Sequence, residues 1–287
     1  MYELIHAERG NIPVARACRV LGVARSGYYA WLHAKPSPRA IDDAVLAAEV
    51  KEVFDNNRGR YGAPRVRCAL RRRGPRPSKK RVARMMRVLG LKAHMPRRFR
   101  RTTDSRHTKR IAPNLLERNF TAQAPNQVIA GDITYIATTD GWLYLAVLLD
   151  LYSRRVVGWA MSDRIDTELA LAALRMAATT RALEPNWIHH TDRDCRYGSD
   201  DYLGALHQLG ARPSMSRKAD CWDNAVSESF FATLEKELLV VTTLQSRSAT
   251  RKKVADYIDQ YYNLTRLHSH LDYVSPIEFE TNAPTNS

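Results

Sequence analysis

Along residues 127–161, apolar and β-branched side chains alternate with polar ones in three short runs, 127–138, 142–151 and 155–161. A period of two is the mark of half-buried strands, and the TTDG connection between the first two runs is a good hairpin turn. The period then changes. Residues 167–183 read as a helix capped by Asp166 and closed by Pro185. A short strand in NWIHHTD, a helix over 200–209, a short strand in ARPSMS and a helix over 224–239 follow. Three antiparallel strands followed by alternating helix and strand predict an α/β domain, a mixed five-stranded sheet with helices on its faces.

The N-terminal part has no such alternation and reads as all-α. In residues 1–35, ARACRVLGVARSGYYAWL places Cys18 four positions before Gly22. That predicts helix, tight turn and second helix, the helix-turn-helix arrangement. HAKPSPRA reads as a proline-broken linker. A second helical unit covers 41–95, with one helix over 41–54 and another that restarts after Pro64 and stops at Gly74. A third starts from a Ser78 cap, with Val82, Met85, Met86 and Leu89 spaced as one helical face. Residues 96–123 read as a basic linker, 124–245 as the α/β domain and 246–287 as a helical tail.

Charge sharpens this division. Residues 1–120 carry 29 Lys and Arg against 9 Asp and Glu, whereas residues 121–287 carry 16 against 21. A strongly basic N-terminal part joined to a mildly acidic one points to a polyanion-binding module, with nucleic acid the default partner. Arg65, Arg67, Arg71, Arg72, Lys79, Lys80, Arg81 and Arg84 lie among the apolar positions of the second helical unit. Like charges this dense repel unless phosphates neutralise them, so these are the candidate DNA contacts. The four cysteines are scattered, with no C-x-x-C pair. They fit reduced thiols in a cytoplasmic protein and argue against a zinc site or a disulfide framework. MYELIHAERG has no basic start followed by an apolar run, so no secretory signal is expected, and the longest apolar runs are too short to span a bilayer.

Three carboxylates carry the candidate chemistry. Asp132 interrupts an otherwise apolar strand, IAGDITYIA, where an aspartate is a poor strand former and costly to bury unless paired or bound to a cation. Asp192 ends the fourth strand, and Glu228 lies in the first turns of the 224–239 helix, with 59 and 35 residues between successive members. With the first strand central and the fourth beside it, both aspartates converge and the helix brings Glu228 over the same edge. Without metal the three would raise one another's pKa values; with two Mg²⁺ ions they become an oxygen-ligand cage. Taken singly, each also fits an ordinary role as an edge, cap or first-turn residue.

GDITYI, YLAVLLDLYSRRVVGWAM, HTDRDCRYGS, MSRKADCWDNAVSESFFATLEKEL and YYNLTRLHSHLDYVSPIEFE closely resemble the DDE transposases of bacterial insertion sequences with a retroviral-integrase-like core. RYGAPRVRCALRRRG and KKRVARMMRVLGLKA match the helical DNA-binding region of the same group, whose transposase is encoded in two overlapping reading frames. The resemblance covers nearly the whole chain. It implies a ribonuclease H-like catalytic core preceded by helix-turn-helix regions, with Asp132, Asp192 and Glu228 as the catalytic, metal-binding triad for Mg²⁺, or Mn²⁺ in its place. It also implies end cleavage and strand transfer, binding to terminal inverted repeats and target DNA, a homo-oligomer on DNA, and an upstream frame product as fusion partner. The expected location is the bacterial cytoplasm, at the nucleoid.

Four positions depart from that pattern. Glu235 stands where a basic residue is usual, and Lys236 next to it becomes the candidate DNA contact. Asp194 replaces a glycine near Asp192, Ile129 a tryptophan and Asp272 a glycine. Trp222 and Asn224 are expected to position the Glu228 helix, with Asn224 as its N-cap. His268 and His270 make a poor zinc pair; Tyr261, Tyr262 and Leu271 read as packing, and Arg266 and His268 as candidate DNA contacts. Of His189 and His190, one is a candidate neighbour for Asp192, with a core role the simpler reading. Two other readings stand beside the transposase: a DNA-binding regulator of transposition without catalysis, and a hydrolytic nuclease of the same fold.

Overall fold

The computed structural model describes residues 1–93, 111–117, 119–217, 224–239 and 245–283. Trp222 and much of the predicted linker lie outside the described residues. Helices α1 (Tyr2–Ala7), α2 (Val14–Val20) and α3 (Arg25–Leu32) close on Ile5, Cys18 and Tyr28. Gly22, at φ 65°, makes the left-handed turn between α2 and α3. Helices α4 (Pro38–Asn56), α5 (Ala63–Arg72) and α6 (Lys79–Val88) form the second unit around Leu46, Val50, Val53, Val66, Leu70, Val82, Met85 and Met86. The Ser78 hydroxyl accepts from the Arg81 amide at 3.2 Å, capping α6 as expected. Pro38, expected to break the chain in a linker, is instead a start, and Pro64 marks a start as expected. Pro38 and Pro64 lie at the first positions of α4 and α5, where the missing N–H has no helical partner to lose.

The sheet contains β1 (Val128–Thr138), β2 (Gly141–Asp150), β3 (Val156–Ser162), β4 (Ile188–Thr191) and β5 (Arg212–Met215), in the order β3-β2-β1-β4-β5. β1–β2 and β2–β3 pair antiparallel, β1–β4 and β4–β5 parallel. β1 is therefore central and has one neighbour of each kind. α7 (Thr167–Thr180), capped by Asp166, and α8 (Asp200–Gln208) cover one face around Ile129, Ala146, Leu148 and Leu174. α9 (Ala225–Leu234), a π-helical turn over Glu235–Leu239, α10 (Arg247–Asp256) and a second π-helical turn over Tyr257–Tyr262 cover the other, around Leu145, Val147, Phe230, Phe231 and Ile258. α11 (Pro276–Thr281) closes the described chain.

α7 lies hard against β3 at Gly158. A Cβ there would stand 2.3 Å from the Ala173 carbonyl oxygen and 3.0 Å from the Ala177 amide nitrogen, both backbone atoms that cannot step aside. Gly158→Ala is therefore expected to destabilise the chain by about 3 kcal/mol, the upper part of the usual overpacking range. Urea unfolding checks it: the midpoint falls while the slope stays unchanged.

Residues 111–123, assigned from sequence to the basic linker, are held on the sheet in their described part. The Met215 amide donates to the Pro113 carbonyl, the Leu115 amide to the Ser214 hydroxyl, and Leu116 is buried with Ala130 and Leu151. The C-terminal segment is likewise more than a tail. Leu267 and Tyr273 pack into the core of α4–α6, while Val254, Tyr257 and Tyr262 pack under the sheet.

Candidate active site

β1 and β4 pair in parallel with Gly131 opposite Thr191, so Asp132 on β1 and Asp192 directly after β4 follow side by side. Neighbouring strands lie about 4.8 Å apart, which brings both carboxylates to one sheet edge. Gly131 permits this approach: a Cβ there would stand 2.9 Å from the His189 ring. α9 crosses the same face of β1, seated by Phe230, Phe231 and Leu234 against Leu145 and Val147, and carries Glu228 in its first turn. The sequence expectation that all three would meet at one edge rests on this order of strands, and the order is the one observed.

The electrostatics agree with the proximity. Asp132 is half-buried, and its carboxyl is held well above the usual carboxylate range. Burial is the largest cause, followed by the Asp192 charge; Glu228 and Asp194 add to it, and the Ile133 amide, donating to Oδ1 at 2.8 Å, opposes it. The folded chain thus keeps a proton on Asp132 at pH values where the unfolded chain has released it. Metal-free protein is therefore expected to lose melting temperature as pH rises through that raised value, because the state that binds more protons is disfavoured by their removal. Asp132→Asn should flatten the slope, as thermal melts in chelator across pH would register.

Asn224 departs from its expected role. It occupies the N-cap position of α9 but makes no capping bond with its side chain. Its Nδ2 instead donates to Asp132 Oδ2 at 2.8 Å, tying the start of α9 to the central strand. Its Oδ1 is buried without a hydrogen-bond partner, as are the Ser227 hydroxyl and the Tyr197 hydroxyl. Burial pushes the Tyr197 hydroxyl well above the usual range, and Tyr202 and the charges of Asp132, Asp192 and Asp194 add to it. Buried polar atoms without partners are rare, and orphaned atoms beside three carboxylates fit a hydrated divalent cation. Among the described residues no three His, Cys, Asp or Glu side chains already meet at coordination distance.

Asp194 does not swell the carboxylate set. Its side chain pairs with the Arg196 guanidinium and accepts from the Arg196 amide, while its own amide donates to Asp192 Oδ1 at 3.1 Å. His189 and His190 are core residues. His189 Nε2 bonds the Tyr202 hydroxyl at 2.8 Å and burial lowers its pKa to about 3, so the ring is neutral; His190 Nδ1 bonds the Ser214 hydroxyl.

The candidate DNA contacts divide by where their charges go. Arg71, Lys79 and Lys80 are exposed; Arg72 is exposed and paired with Glu278 at 2.7 Å. Arg81 and Arg84 both bond Asp43, at 2.8 and 2.5 Å, which lowers the Asp43 pKa. Arg67 is half-buried, and Lys236 lies in the π-helical turn after α9. Arg65 is a correction to the DNA-contact reading, because its Nε donates to the Leu267 carbonyl at 2.9 Å and its head faces buried Glu237. Arg266 and His268 are corrections for the same reason. Arg266 is 3% exposed and bonds Glu237, and His268 accepts from it, its pKa driven down to about 2 by burial and then by Arg266.

Comparison with known proteins shows where this architecture belongs. Models of an integrase core domain match residues 122–221 and 228–283, and a model of an HTH-like domain matches residues 40–99. The chain is 42% identical to transposase InsF for insertion sequence IS3A of Escherichia coli (strain K12), over 97% of its length and 98% of the relative's. The chain belongs to the insertion-sequence transposases. The transposase of IS904 from Lactococcus lactis is 39% identical over 87% of this chain and 98% of that one. A 31 kDa protein of insertion element IS600 from Shigella sonnei is 41% identical over 91% and 96%. Among solved structures, a simian T-cell lymphotropic virus intasome aligns at 15% identity with a TM-score of 0.49, covering 77% of this chain and 72% of that one. As a member of the transposase family this protein is a DNA-binding enzyme, a polynucleotidyl transferase of DDE type, and family membership favours that over a regulator without catalysis. No described helix is long and apolar enough to cross a membrane.

Proposed function

We propose that this transposase cuts the ends of its insertion sequence and joins them to target DNA through Asp132, Asp192 and Glu228. The juxtaposition of Asp132 on β1 and Asp192 directly after its parallel neighbour β4, with the Glu228 helix tied over them by Asn224, carries this reading. Two bound Mg²⁺ ions, or Mn²⁺, would supply Lewis-acid polarisation of the phosphate and a lowered pKa at the attacking oxygen. The chain's own part is to hold three carboxylates at one sheet edge. Asp132 is fixed by the pairing of β1 with β2, Asp192 by its place directly after β4, and Glu228 by the apolar seat of α9. In the first step water attacks an end phosphodiester and frees a 3′-hydroxyl. In the second, that hydroxyl attacks a target phosphodiester and displaces the target's own 3′-oxygen, which leaves as a hydroxyl. Positioning and electrostatics do this work, so no serine or tyrosine nucleophile is required.

The exposed basic residues of α5 and α6, Arg71, Arg72, Lys79 and Lys80, are proposed to grip the terminal repeats, with Arg67, Arg81 and Arg84 on the same helices and Lys236 in the turn after α9. Two ends are joined in one event, which calls for a homo-oligomer on DNA. Duplexes carrying the element's end, incubated with protein and Mg²⁺ or Mn²⁺, should give ion-dependent 3′ cleavage and joined products on denaturing gels. Binding without cleavage under every ion would overturn the reading for this chain alone. Cleavage restored by adding the upstream frame product would then assign that product as the fusion partner.

A further inference from the structure

The helix that carries Glu228 does not end at Leu234 but runs on as the π-helical turn Glu235–Leu239, whose Glu237 is 3% exposed. A buried carboxylate is costly unless paired, and this one is bound from two directions. From the C-terminal segment, Arg266 Nη2 reaches Oε1 at 2.7 Å, Arg266 Nε reaches Oε2 at 2.9 Å, and the Tyr257 hydroxyl donates to Oε2 at 2.9 Å. From the helical unit, Arg60 Nε donates to the Glu237 carbonyl at 3.1 Å, and Arg65 Nη1 stands 3.7 Å from Oε1. Arg65 also donates to the Leu267 carbonyl, while the Tyr61 hydroxyl accepts from the Leu267 amide at 2.9 Å. The Arg60 guanidinium lies 4.1 Å from the Tyr261 ring centroid. Backbone and side chain of one residue on the catalytic helix are therefore both held by the connection that opens α5.

α5 is a single helix of ten residues with Arg65 in its first turn and the exposed Arg71 and Arg72 at its end. Glu237 lies nine residues beyond Glu228, about 13 Å along the rod at 1.5 Å per residue. Both helices are stiff on this scale, and they touch at the arginine–glutamate contact.

We propose that Arg65 is a positioning residue for strand transfer: it links the DNA-gripping helix α5 to Glu237, so that seating an end on α5 sets the placement of Glu228 over Asp132. The proposal rests on Glu228 being a metal-binding carboxylate. Arg65 makes no contact with the reacting atoms. Its effect passes through the π-helical turn and α9.

The test uses the full chain and compares wild type with Arg65→Ala, Arg65→Lys, Arg71→Ala and Glu228→Gln. Three quantities are read: affinity for an end duplex by fluorescence anisotropy, Mn²⁺ affinity of the DNA complex from the free-ion EPR signal, and the Mn²⁺ concentration giving half-maximal cleavage. Arg65→Ala is expected to leave end affinity within about twofold while weakening Mn²⁺ affinity about tenfold, a usual loss when a partner that orients a ligand is removed. Arg65→Lys, which keeps the charge and fold but not the fork, should recover part of the loss; it also serves if the alanine variant fails to fold. Arg71→Ala should show the opposite pattern, weaker end binding with Mn²⁺ affinity intact. Arg65 variants that lose end binding and keep Mn²⁺ affinity, or that change neither, would overturn the proposal. Unchanged Mn²⁺ affinity in Glu228→Gln would instead overturn the underlying assignment of Glu228, which separates the two failures.

Discussion

Glu228→Gln is expected to lose divalent-ion-dependent end cleavage by about 10³-fold or more, equivalent to about 4 kcal/mol of transition-state stabilisation. End-duplex binding should stay within about twofold, because the exposed basic residues lie on α5 and α6 and not on α9. Glutamine keeps the shape and rotamers of glutamate and removes only the charge. The stability readout should move the other way. In metal-free protein Glu228 is one of the charges that hold a proton on Asp132, so removing it relieves repulsion within the cluster. Metal-free Glu228→Gln should therefore melt no lower than wild type, and in Mg²⁺ it should lose the ion-dependent rise that wild type shows. A residue that mattered only for packing would behave in reverse, with lower stability and proportionately reduced activity. Thermal melts with and without Mg²⁺, beside single-turnover cleavage, separate the two.

Glu237→Ala should be the most destabilising change at the junction of the helical unit and the sheet, at about 3–5 kcal/mol, the cost of removing one partner from a buried ion pair. The glutamate is 3% exposed and Arg266 likewise 3%, so the arginine left behind has no water to turn to. The Tyr257 hydroxyl would lose its acceptor as well. Burial alone would raise the Glu237 pKa, but hydrogen bonds from Arg266, its charge and that of Arg65 outweigh burial and bring it below the ordinary glutamate value. A depressed carboxyl contributes stability that is present above the unfolded value and is lost as pH falls through the folded one. Wild type should therefore lose this contribution in acid, and Glu237→Ala should show a shallower acid dependence. Denaturant unfolding at neutral and acid pH checks both magnitude and sign.

The strand order that places the candidate carboxylates was legible because a strand has a strict period. Asp132 was conspicuous only against the alternation around it, and once β1 was taken as central, the parallel neighbour had to bring Asp192 beside it. The Ser78 and Asp166 caps were legible for a similar reason, since capping is a local bond over three residues. Pro38 was misread as a break because proline starts a helix as readily as it stops one. What sequence hid were the partners that are far away along the chain. Nothing near Arg65 announces that Leu267 and Glu237 will take up its donors, so it looked like one more phosphate contact among many. Asn224 was placed correctly at the head of α9 but assigned the commoner bond; its amide goes to a carboxylate 92 residues upstream. The pairing of Asp194 with Arg196 was within reach at two residues' spacing, and it gives the fourth acidic side chain near Asp192 a cation of its own.

The seating of Leu267 in the core of α4–α6 has a consequence for how the protein is made. Leu267 is 4% exposed there, and the bond from Arg65 to its carbonyl spans 202 residues of chain. As the polypeptide leaves the ribosome, Arg65 emerges 202 residues ahead of Leu267, so the second helical unit lacks this wall until the intervening sheet has been made. Contacts of such long sequence separation form late in folding, after the intervening chain has collapsed. A nascent product that stops short of Leu267 therefore carries an unfinished second helical unit, and the finished one arises only in a molecule that also possesses its complete five-stranded sheet.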